Sequence, residues 1–129
     1  MPIFTALTQY SDLGILALRI AVGIIFLYHS VPKLKNPAMM AGGIGWHPLA
    51  VMLLGTAELA GGISVILGIY AQIGALILGL VMLGALYYKI LRWHTPFFAM
   101  DKSGWEFDLV LLAANIAILF IGGGRFVLV

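Results

Sequence analysis

Long apolar runs separated by short polar segments are the main pattern of this chain. The runs cover residues 13–31, 49–70, 72–91 and 105–121. Each approaches the roughly 20 residues that a helix needs to cross a bilayer. The pattern predicts an all-α membrane protein with four transmembrane helices in up-down-up-down order. It leaves room for a single domain over residues 1–129.

Polar residues and helix breakers mark the ends of these runs. Pro32 follows the first run, and Gly122 follows the fourth. Ser103 and Glu106 have the S-x-x-E spacing of a capping box, which predicts a structural role for Glu106 at the start of the fourth helix. Only a few residues separate the second run from the third, so these two helices should form a tight antiparallel hairpin.

The composition agrees with a membrane location. Hydrophobic residues make up 63% of the chain and charged residues 9%, whereas soluble domains carry about 25% charged residues. The chain has no cysteine, which excludes dithiol chemistry and cysteine-ligated clusters within it. A net charge of +2 is too small to indicate a nucleic-acid partner. The N-terminus lacks the basic region of a cleavable signal, so the first run should be a retained helix.

The basic residues predict the direction of the helices. The two longer connections, 32–48 and 92–104, lie on the same side of an up-down-up-down chain. That side carries most of the cations: Lys33, Lys35, Lys89, Arg92 and Lys102. The positive-inside rule therefore places both long loops in the cytoplasm and both termini outside, in a multi-pass protein of the cytoplasmic membrane.

Glu58 is the only charged residue between Pro48 and Lys89. A carboxylate near the bilayer centre costs roughly 2.5–3.5 kcal/mol on insertion scales. Counting about 1.5 Å per residue from the predicted cytoplasmic ends puts Glu58 roughly 13 Å deep, Asn115 roughly 15 Å and Arg19 roughly 18 Å. These similar depths predict an Arg19–Glu58 ion pair with Asn115 beside it.

Small residues share the faces of these polar groups. Gly55, Gly61 and Gly62 lie on the side of Glu58, and Gly23 lies on the side of Arg19. Because small residues let membrane helices approach closely, the polar side chains should point into the helix bundle.

A second polar layer is predicted nearer the cytoplasm. His29 should lie at the level of Trp105 and Asp108, which share a helix face with Asn115. His29 is either a proton relay or a histidine that hydrogen-bonds a loop carbonyl, and Asp108 is either a cavity carboxylate or a favourable charge in a helix first turn. No H-x₃₋₅-H spacing is present, so no metal site is expected.

The order of several motifs resembles the DoxX family. The motifs are LRIAVGIIFLYHSVPKL at 18–34, GWHPLAVMLLGTAELAGGISVILGIYAQIGALIL at 45–78 and GWEFDLVLLAANIAILFIGGGRFVL at 104–128. The resemblance implies a small four-helix membrane protein linked to quinone oxidoreductases. It also implies that the polar residues of the family fall on these positions: Arg19, His29, Lys33, Glu58, Trp105 and Asp108.

Three functions remain open from the sequence. The first is a membrane subunit associated with quinone-linked oxidoreductase activity, whose buried Arg–Glu site binds a quinone or relays protons. The second is an assembly protein that packs against larger complexes, and the third is a small proton-coupled transporter. The expected partners are the lipid bilayer, a membrane or peripheral protein and a possible second copy of the chain. No cofactor of its own is expected beyond a bound quinone, no catalytic residue is assigned, and whether the chain is itself an enzyme stays open.

Overall fold

The computed structural model describes residue 1 and residues 3–129, and these residues form helices and loops without a strand. The helices are α1 (Thr5–Thr8), α2 (Ser11–Lys35), α3 (Pro37–Ile44), α4 (Pro48–Leu67), α5 (Ala71–Tyr87) and α6 (Trp105–Ile121). A π-helical turn, Tyr88–Arg92, continues α5. The predicted all-helical fold class is confirmed. Within the described residues, three helices are long and apolar enough to cross a membrane: α2, α4 and α5 with its π turn.

The first predicted span was too short. α2 does not end before Pro32 but continues to Lys35, where the Asn36 N–H donates to the Pro32 carbonyl at 3.0 Å. Proline lacks only its own N–H and leaves its carbonyl free to accept. The connection predicted over 32–48 also contains α3, which ends at Gly45 in the left-handed conformation (φ 77°).

α4 and α5 form the predicted hairpin. The His47 side chain caps α4 by accepting the Leu49 N–H at 3.1 Å. Gly68, at φ 71°, ends the helix, and the N–H groups of Gly68 and Ile69 both donate to the Ser64 carbonyl. This left-handed glycine turns the chain sharply, so α5 begins three residues later at Ala71.

The predicted capping box at the start of α6 was wrong. Gly104, not Ser103, occupies the cap position, and no side chain caps the helix. The Trp105 and Glu106 N–H groups instead donate to the Pro96 and Phe97 carbonyls at 3.2 and 3.1 Å. A Cβ on Gly104 would collide with the Phe97 carbonyl, so this approach of loop to helix requires glycine.

The four longer helices pack around one apolar core. α4 lies between α2 and α5, α6 packs on α5, and α2 meets α6 over a shorter stretch. A Cβ on Gly23 would collide with Ile66 and would lie 2.8 Å from the Gly62 carbonyl oxygen. This contact confirms that small residues bring α2 and α4 close together. The core itself contains Val22, Phe26, Val65, Leu78, Leu111 and Ile118.

Large apolar side chains also cover the outside of the molecule. Each of the four longer helices exposes some of them, including Ile24 on α2, Leu53 on α4, Leu80 on α5 and Phe120 on α6. Soluble monomers rarely expose apolar patches of this extent. The outer surface therefore suits contact with lipid.

Candidate functional site

A cavity of about 930 Å³ lies between the helices, at the end of the molecule where α2 finishes and α4 begins. Its inner walls come from α2, α4, α5 and α6, and α3 with the segment after the π turn borders its mouth. Ligand pockets for small organic molecules commonly measure about 300–1,000 Å³. The cavity is therefore large enough for such a ligand.

Lys33 and Glu58 form an ion pair at one side of the cavity. The Lys33 Nζ lies 2.9 Å from the Glu58 Oε2 and also donates to the His29 carbonyl at 3.0 Å. Both side chains are largely buried, with 12% and 4% of their surface exposed. The pair joins α2 to α4 and keeps two charges beside the cavity instead of burying one alone.

Lys89 and Asp108 form a second ion pair at another side. Their Nζ and Oδ2 atoms lie 2.6 Å apart, and the pair joins the π turn to the first turn of α6. The π turn carries Tyr88 and Lys89 toward the cavity, which both residues line. Single π-helical turns occur frequently at functional sites. The two ion pairs thus give one cavity two polar regions on different helix pairs.

Arg19 is not the partner of Glu58, so the predicted Arg19–Glu58 pair was wrong. The Arg19 guanidinium is fully buried at the opposite end of the bundle. It donates to four backbone carbonyls, those of Val65 at 2.7 Å, Ile66 at 3.0 Å, Gly123 at 2.8 Å and Phe126 at 2.7 Å. Arg19 therefore ties α2 to the end of α4 and to the tail after α6.

These contacts complete the hydrogen bonding of the last turn of α4. The last four carbonyls of a helix have no partner within it. Here the Ser64 carbonyl accepts from the Gly68 and Ile69 N–H groups. Arg19 donates to the next two carbonyls, those of Val65 and Ile66. The Leu67 carbonyl accepts from the Leu128 N–H at 3.3 Å. The positive charge also complements the negative end of the helix dipole. Arg19 has a structural role that uses four of its five N–H donors.

The error came from the depth estimate. α2 continues four residues beyond Val31, so its cavity end is Lys35 rather than the residue before Pro32. Measured from there, Arg19 lies about 24 Å along its helix, whereas Glu58 lies about 15 Å from Pro48. The ends of α2 and α4 are also not level: a Cβ on Gly55, seven residues into α4, would lie 2.8 Å from the Lys33 Cβ, so Lys33 meets α4 three residues before Glu58.

Asn115 lies in the interior but does not line the cavity. It is 1% exposed, and its Nδ2 donates to the Leu111 carbonyl at 2.9 Å, one turn earlier in α6. Its Oδ1 has no hydrogen-bond donor among the described residues. Asn115 therefore joins neither Arg19 nor Glu58, and the predicted layer of three residues is not formed.

The second predicted layer is formed in part. His29 and Asp108 both line the cavity, and the His29 ring lies 5.8 Å from the ring of Phe107 on α6. Trp105 does not line it, because its ring packs on Phe97 at 4.6 Å. Trp105 thus supports the loop before α6.

Aromatic residues that the sequence prediction missed form a wall of the cavity. Trp46 donates from Nε1 to the Tyr88 hydroxyl oxygen at 2.8 Å, and the Trp93 ring lies 5.4 Å from the ring of Tyr88. We call Trp46, Tyr88 and Trp93 the aromatic wall; all three line the cavity. No sequence motif joins them, since Trp46 and Tyr88 are 42 positions apart.

The cavity is amphipathic along its length. Lys33, Lys89 and Lys102 line it together with two carboxylates, Glu58 and Asp108, which leaves a charge of +1 with neutral histidine. Its deeper part is aliphatic, with Ile25, Leu80, Val81, Met82 and Leu111. The cavity suits a ligand with polar oxygen atoms at one end and apolar surface at the other. The described residues contain no cluster of three or more His, Cys, Asp or Glu side chains that could hold a metal ion.

Comparison with known proteins adds the family. The DoxX family model matches residues 14–90, which include most of α2, the whole of α3, α4 and α5, and the residues of the Lys33–Glu58 pair. The chain belongs to the DoxX family. This is a membrane-associated family, which agrees with the long apolar helices of the structure.

Two curated proteins are similar over most of this DoxX chain. One, from Bacillus subtilis (strain 168), is named "Putative oxidoreductase CatD"; it is 30% identical over 118 residues, 89% of this chain and 83% of its own length. An uncharacterized protein of Haemophilus influenzae is 29% identical over 121 residues, 92% of this chain and 90% of its own length. No solved structure matches the chain.

Proposed function

We propose that this DoxX protein is an integral membrane subunit of a quinone-linked oxidoreductase and that its cavity binds the quinone headgroup. One observation supports the proposal most directly: two buried lysine–carboxylate pairs and the aromatic wall line the same cavity of about 930 Å³. The name of the Bacillus subtilis relative supports a link to oxidoreductase chemistry.

The cavity offers each group that a quinone needs. The aromatic wall can stack on the flat ring, as aromatic pairs do at centroid distances of about 4.5–7 Å. The ammonium groups of Lys33 and Lys89 can donate to the two ring carbonyl oxygens. The carboxylates of Glu58 and Asp108 pair with those ammonium groups and offset the cost of burying them.

The reaction balances with a partner that supplies electrons. A quinone becomes a quinol by taking two electrons and two protons, and each ring oxygen then carries one new O–H bond. The electrons come from a partner oxidoreductase, because the chain has no cysteine and no residue cluster for a redox metal among its described residues. The protons come from the two ammonium groups, which regain them from water at the cavity mouth.

The proposal includes a membrane arrangement. α2, α4, α5 with its π turn, and α6 cross the bilayer as four spans, with both termini outside. α6 has 17 residues, a length of about 26 Å that is close to the hydrocarbon thickness. The lysines at the cavity mouth then lie on the cytoplasmic side, so protons enter the cavity from the cytoplasm.

Quinone binding to the purified protein in lipid nanodiscs tests this function. A quinone seated on the aromatic wall should quench the fluorescence of Trp46 and Trp93. Glu58→Gln and Asp108→Asn should each weaken binding by about tenfold to a hundredfold, because the neighbouring ammonium group loses the charge-assisted contact that positions it, worth roughly 1.5–3 kcal/mol. Thr56→Val on α4 is the matched control, since the exposed Thr56 bonds only to the Met52 carbonyl. Absence of saturable quenching in the unaltered protein would contradict the proposal.

The two other functions are less well supported by the geometry. An assembly protein would need no interior cavity, whereas this one holds charged groups from four helical segments. A transporter of hydrophobic cations would need a free carboxylate, whereas Lys33 and Lys89 neutralise both carboxylates of the cavity.

A further inference from the structure

The outer face of α5 contains an opening into the cavity. Leu80 lines the cavity, is 59% exposed and shares a helix face with the exposed Leu76 and Leu83, which do not line the cavity. One turn later, Gly84 also lines the cavity and is exposed. The cavity therefore reaches the outward face of α5 at these two residues.

The space beside Gly84 is empty. A Cβ on Gly84 would meet no atom within 4 Å. Other glycines of the same helix pair are tightly packed: a Cβ on Gly61 would lie 2.7 Å from Leu78, and one on Gly74 would collide with the Ser64 hydroxyl. α4 and α5 are therefore in close contact near their hairpin and leave a gap at the level of Gly84.

This gap leads from the bilayer to the charged part of the cavity. Gly84 lies eight residues before Arg92, about 12 Å along the helix, and Glu58 lies about 15 Å along α4 from Pro48. Leu54 of α4 lines the cavity one turn before Glu58 and is partly exposed. We call the gap bordered by Leu54, Leu80 and Gly84 the lateral window.

We propose that the lateral window is the passage by which a ligand enters from the lipid, and that this ligand is a quinone with an apolar tail that stays in the window. This inference rests on the proposed function, which it narrows to membrane-soluble, tailed quinones. The window is bordered by aliphatic residues and glycine alone, so it is matched to hydrocarbon. The polar groups that would hold the headgroup lie behind it, at Lys33–Glu58 and Lys89–Asp108.

The order of groups along the path fits an amphiphile. A molecule that enters beside Leu80 and Gly84 meets aliphatic surface first, and the aromatic wall and the ion pairs line the same cavity. A charged or water-soluble substrate has no favourable contact in the first part of this path. A tailed quinone contacts apolar surface with its tail and ammonium groups with its ring oxygens at the same time.

The matched substitutions are Gly84→Phe and Gly14→Phe. Both glycines are exposed, lie within helices and have no neighbour within 4 Å of an added Cβ, but only Gly84 borders the cavity. The probes are a benzoquinone with a decyl tail and the same benzoquinone without a tail, measured by tryptophan quenching in nanodiscs. Melting temperatures of both variants are recorded in parallel.

Gly84→Phe should fill the window and weaken binding of the decyl quinone by at least about tenfold, which corresponds to about 1.4 kcal/mol. Binding of the tail-free quinone, which needs no space in the window, should change by less than about threefold, and Gly14→Phe should change neither. If Gly84→Phe lowers the melting temperature, Leu80→Trp is measured instead, because it enlarges a side chain that is already exposed at the window.

The outcomes separate the two proposals. Equal effects on both quinones, or no effect on either, would show that the tail does not occupy the window while quinone binding itself stands. If the unaltered protein binds neither quinone, the proposed function is wrong and the window loses its ligand as well.

Discussion

The two ends of the helix bundle hold buried cations in opposite ways. At the arginine end, formed by Arg19, the end of α4 and residues 122–129, the guanidinium donates to four backbone carbonyls. At the lysine end, formed by Lys33, Glu58, Lys89 and Asp108, each ammonium group pairs with one carboxylate beside open space. The arginine end fixes its cation with several backbone acceptors, whereas the lysine end keeps its charges beside the cavity.

The difference follows from the chemistry of the two cations. Arginine carries five N–H donors in a rigid fork and stays charged, so it suits a fixed contact with several carbonyls. Lysine is a compact charge on a flexible stem and loses its proton more readily when buried. Arginine therefore suits the end of the bundle that fixes helix contacts, and lysine suits the end where a ligand or a proton can be exchanged.

The largest effect is expected at the arginine end. Arg19→Leu leaves four carbonyls without a donor inside the bundle, so we expect a loss of about 3–5 kcal/mol in the free energy of unfolding. Arg19→Lys should recover only part of this loss, because one ammonium group cannot reach all four carbonyls. Unfolding titrations in mixed detergent micelles measure both variants.

If Arg19→Leu changes the free energy of unfolding only slightly, the four carbonyls find other donors. The two ends of the bundle would then not differ in how much their buried cations contribute to stability. Quinone binding by the folded fraction should be unchanged, because Arg19 does not line the cavity. If Arg19→Leu instead lowers quinone binding without lowering stability, Arg19 takes part in ligand binding.

The next effect concerns the Lys33–Glu58 pair. Lys33→Met leaves Glu58 unpaired in a largely buried position, and we expect a loss of about 2–3 kcal/mol, less than for a fully enclosed pair because the cavity admits water. The double change Lys33→Met, Glu58→Leu removes both charges and should lie within about 1 kcal/mol of the unaltered protein. A double-mutant cycle on the same unfolding titration gives the coupling.

The same double variant separates stability from function. It should be stable and should bind quinone poorly, because the ammonium donor and its carboxylate are both gone. Additive losses in the cycle would mean that the two side chains do not interact, and full binding would mean that this pair is not part of the site.

The smallest effects come from two glycines, one at each end. A Cβ added to Gly68, whose φ is 71°, would lie 2.6 Å from Arg19 Nη2 and 2.7 Å from Val127 Cα. A Cβ added to Gly84 would have no atom within 4 Å. Gly68→Ala should therefore destabilise the protein by about 1–3 kcal/mol through backbone strain and crowding. Gly84→Ala should stabilise it by about 0.5–1 kcal/mol, because alanine favours the helix interior. Melting curves of the two variants should move in opposite directions, and a shift in the same direction would show that the two ends are equally packed.

The sequence predicted the helices better than the contacts between them. Hydrophobic runs located all four longer helices, and the limits predicted for α6, residues 105–121, match those in the structure. The predicted Ser103–Glu106 cap was wrong because the Pro96 and Phe97 carbonyls accept from the first N–H groups of α6. Both carbonyls lie outside the four-residue motif on which the prediction rested. The number of membrane spans and their direction stay predictions.

The predicted Arg19–Glu58 ion pair was wrong because such a prediction requires the position of each helix end to within one turn. Counting from the helix ends placed Arg19 near Glu58, whereas the ends are offset and Lys33 meets α4 beside Gly55, three residues before Glu58. A signal for the second pair was present: Lys89 follows Met82 and Ala85 at spacings of seven and four, which puts it on their inward face. The aromatic wall had no such signal, because the contact between Trp46 and Tyr88 joins residues 42 positions apart.

The hydrogen bonds of Arg19 also constrain biosynthesis. Two of its acceptors, the Gly123 and Phe126 carbonyls, lie 104 and 107 residues later in the chain. At about 5–20 residues per second, a ribosome takes on the order of 5–20 s to make that intervening segment. During this interval Arg19, on the first long helix, lacks two of its four carbonyl acceptors. The hydrogen bonding of this helix is therefore completed only when residues 123–126 have been translated.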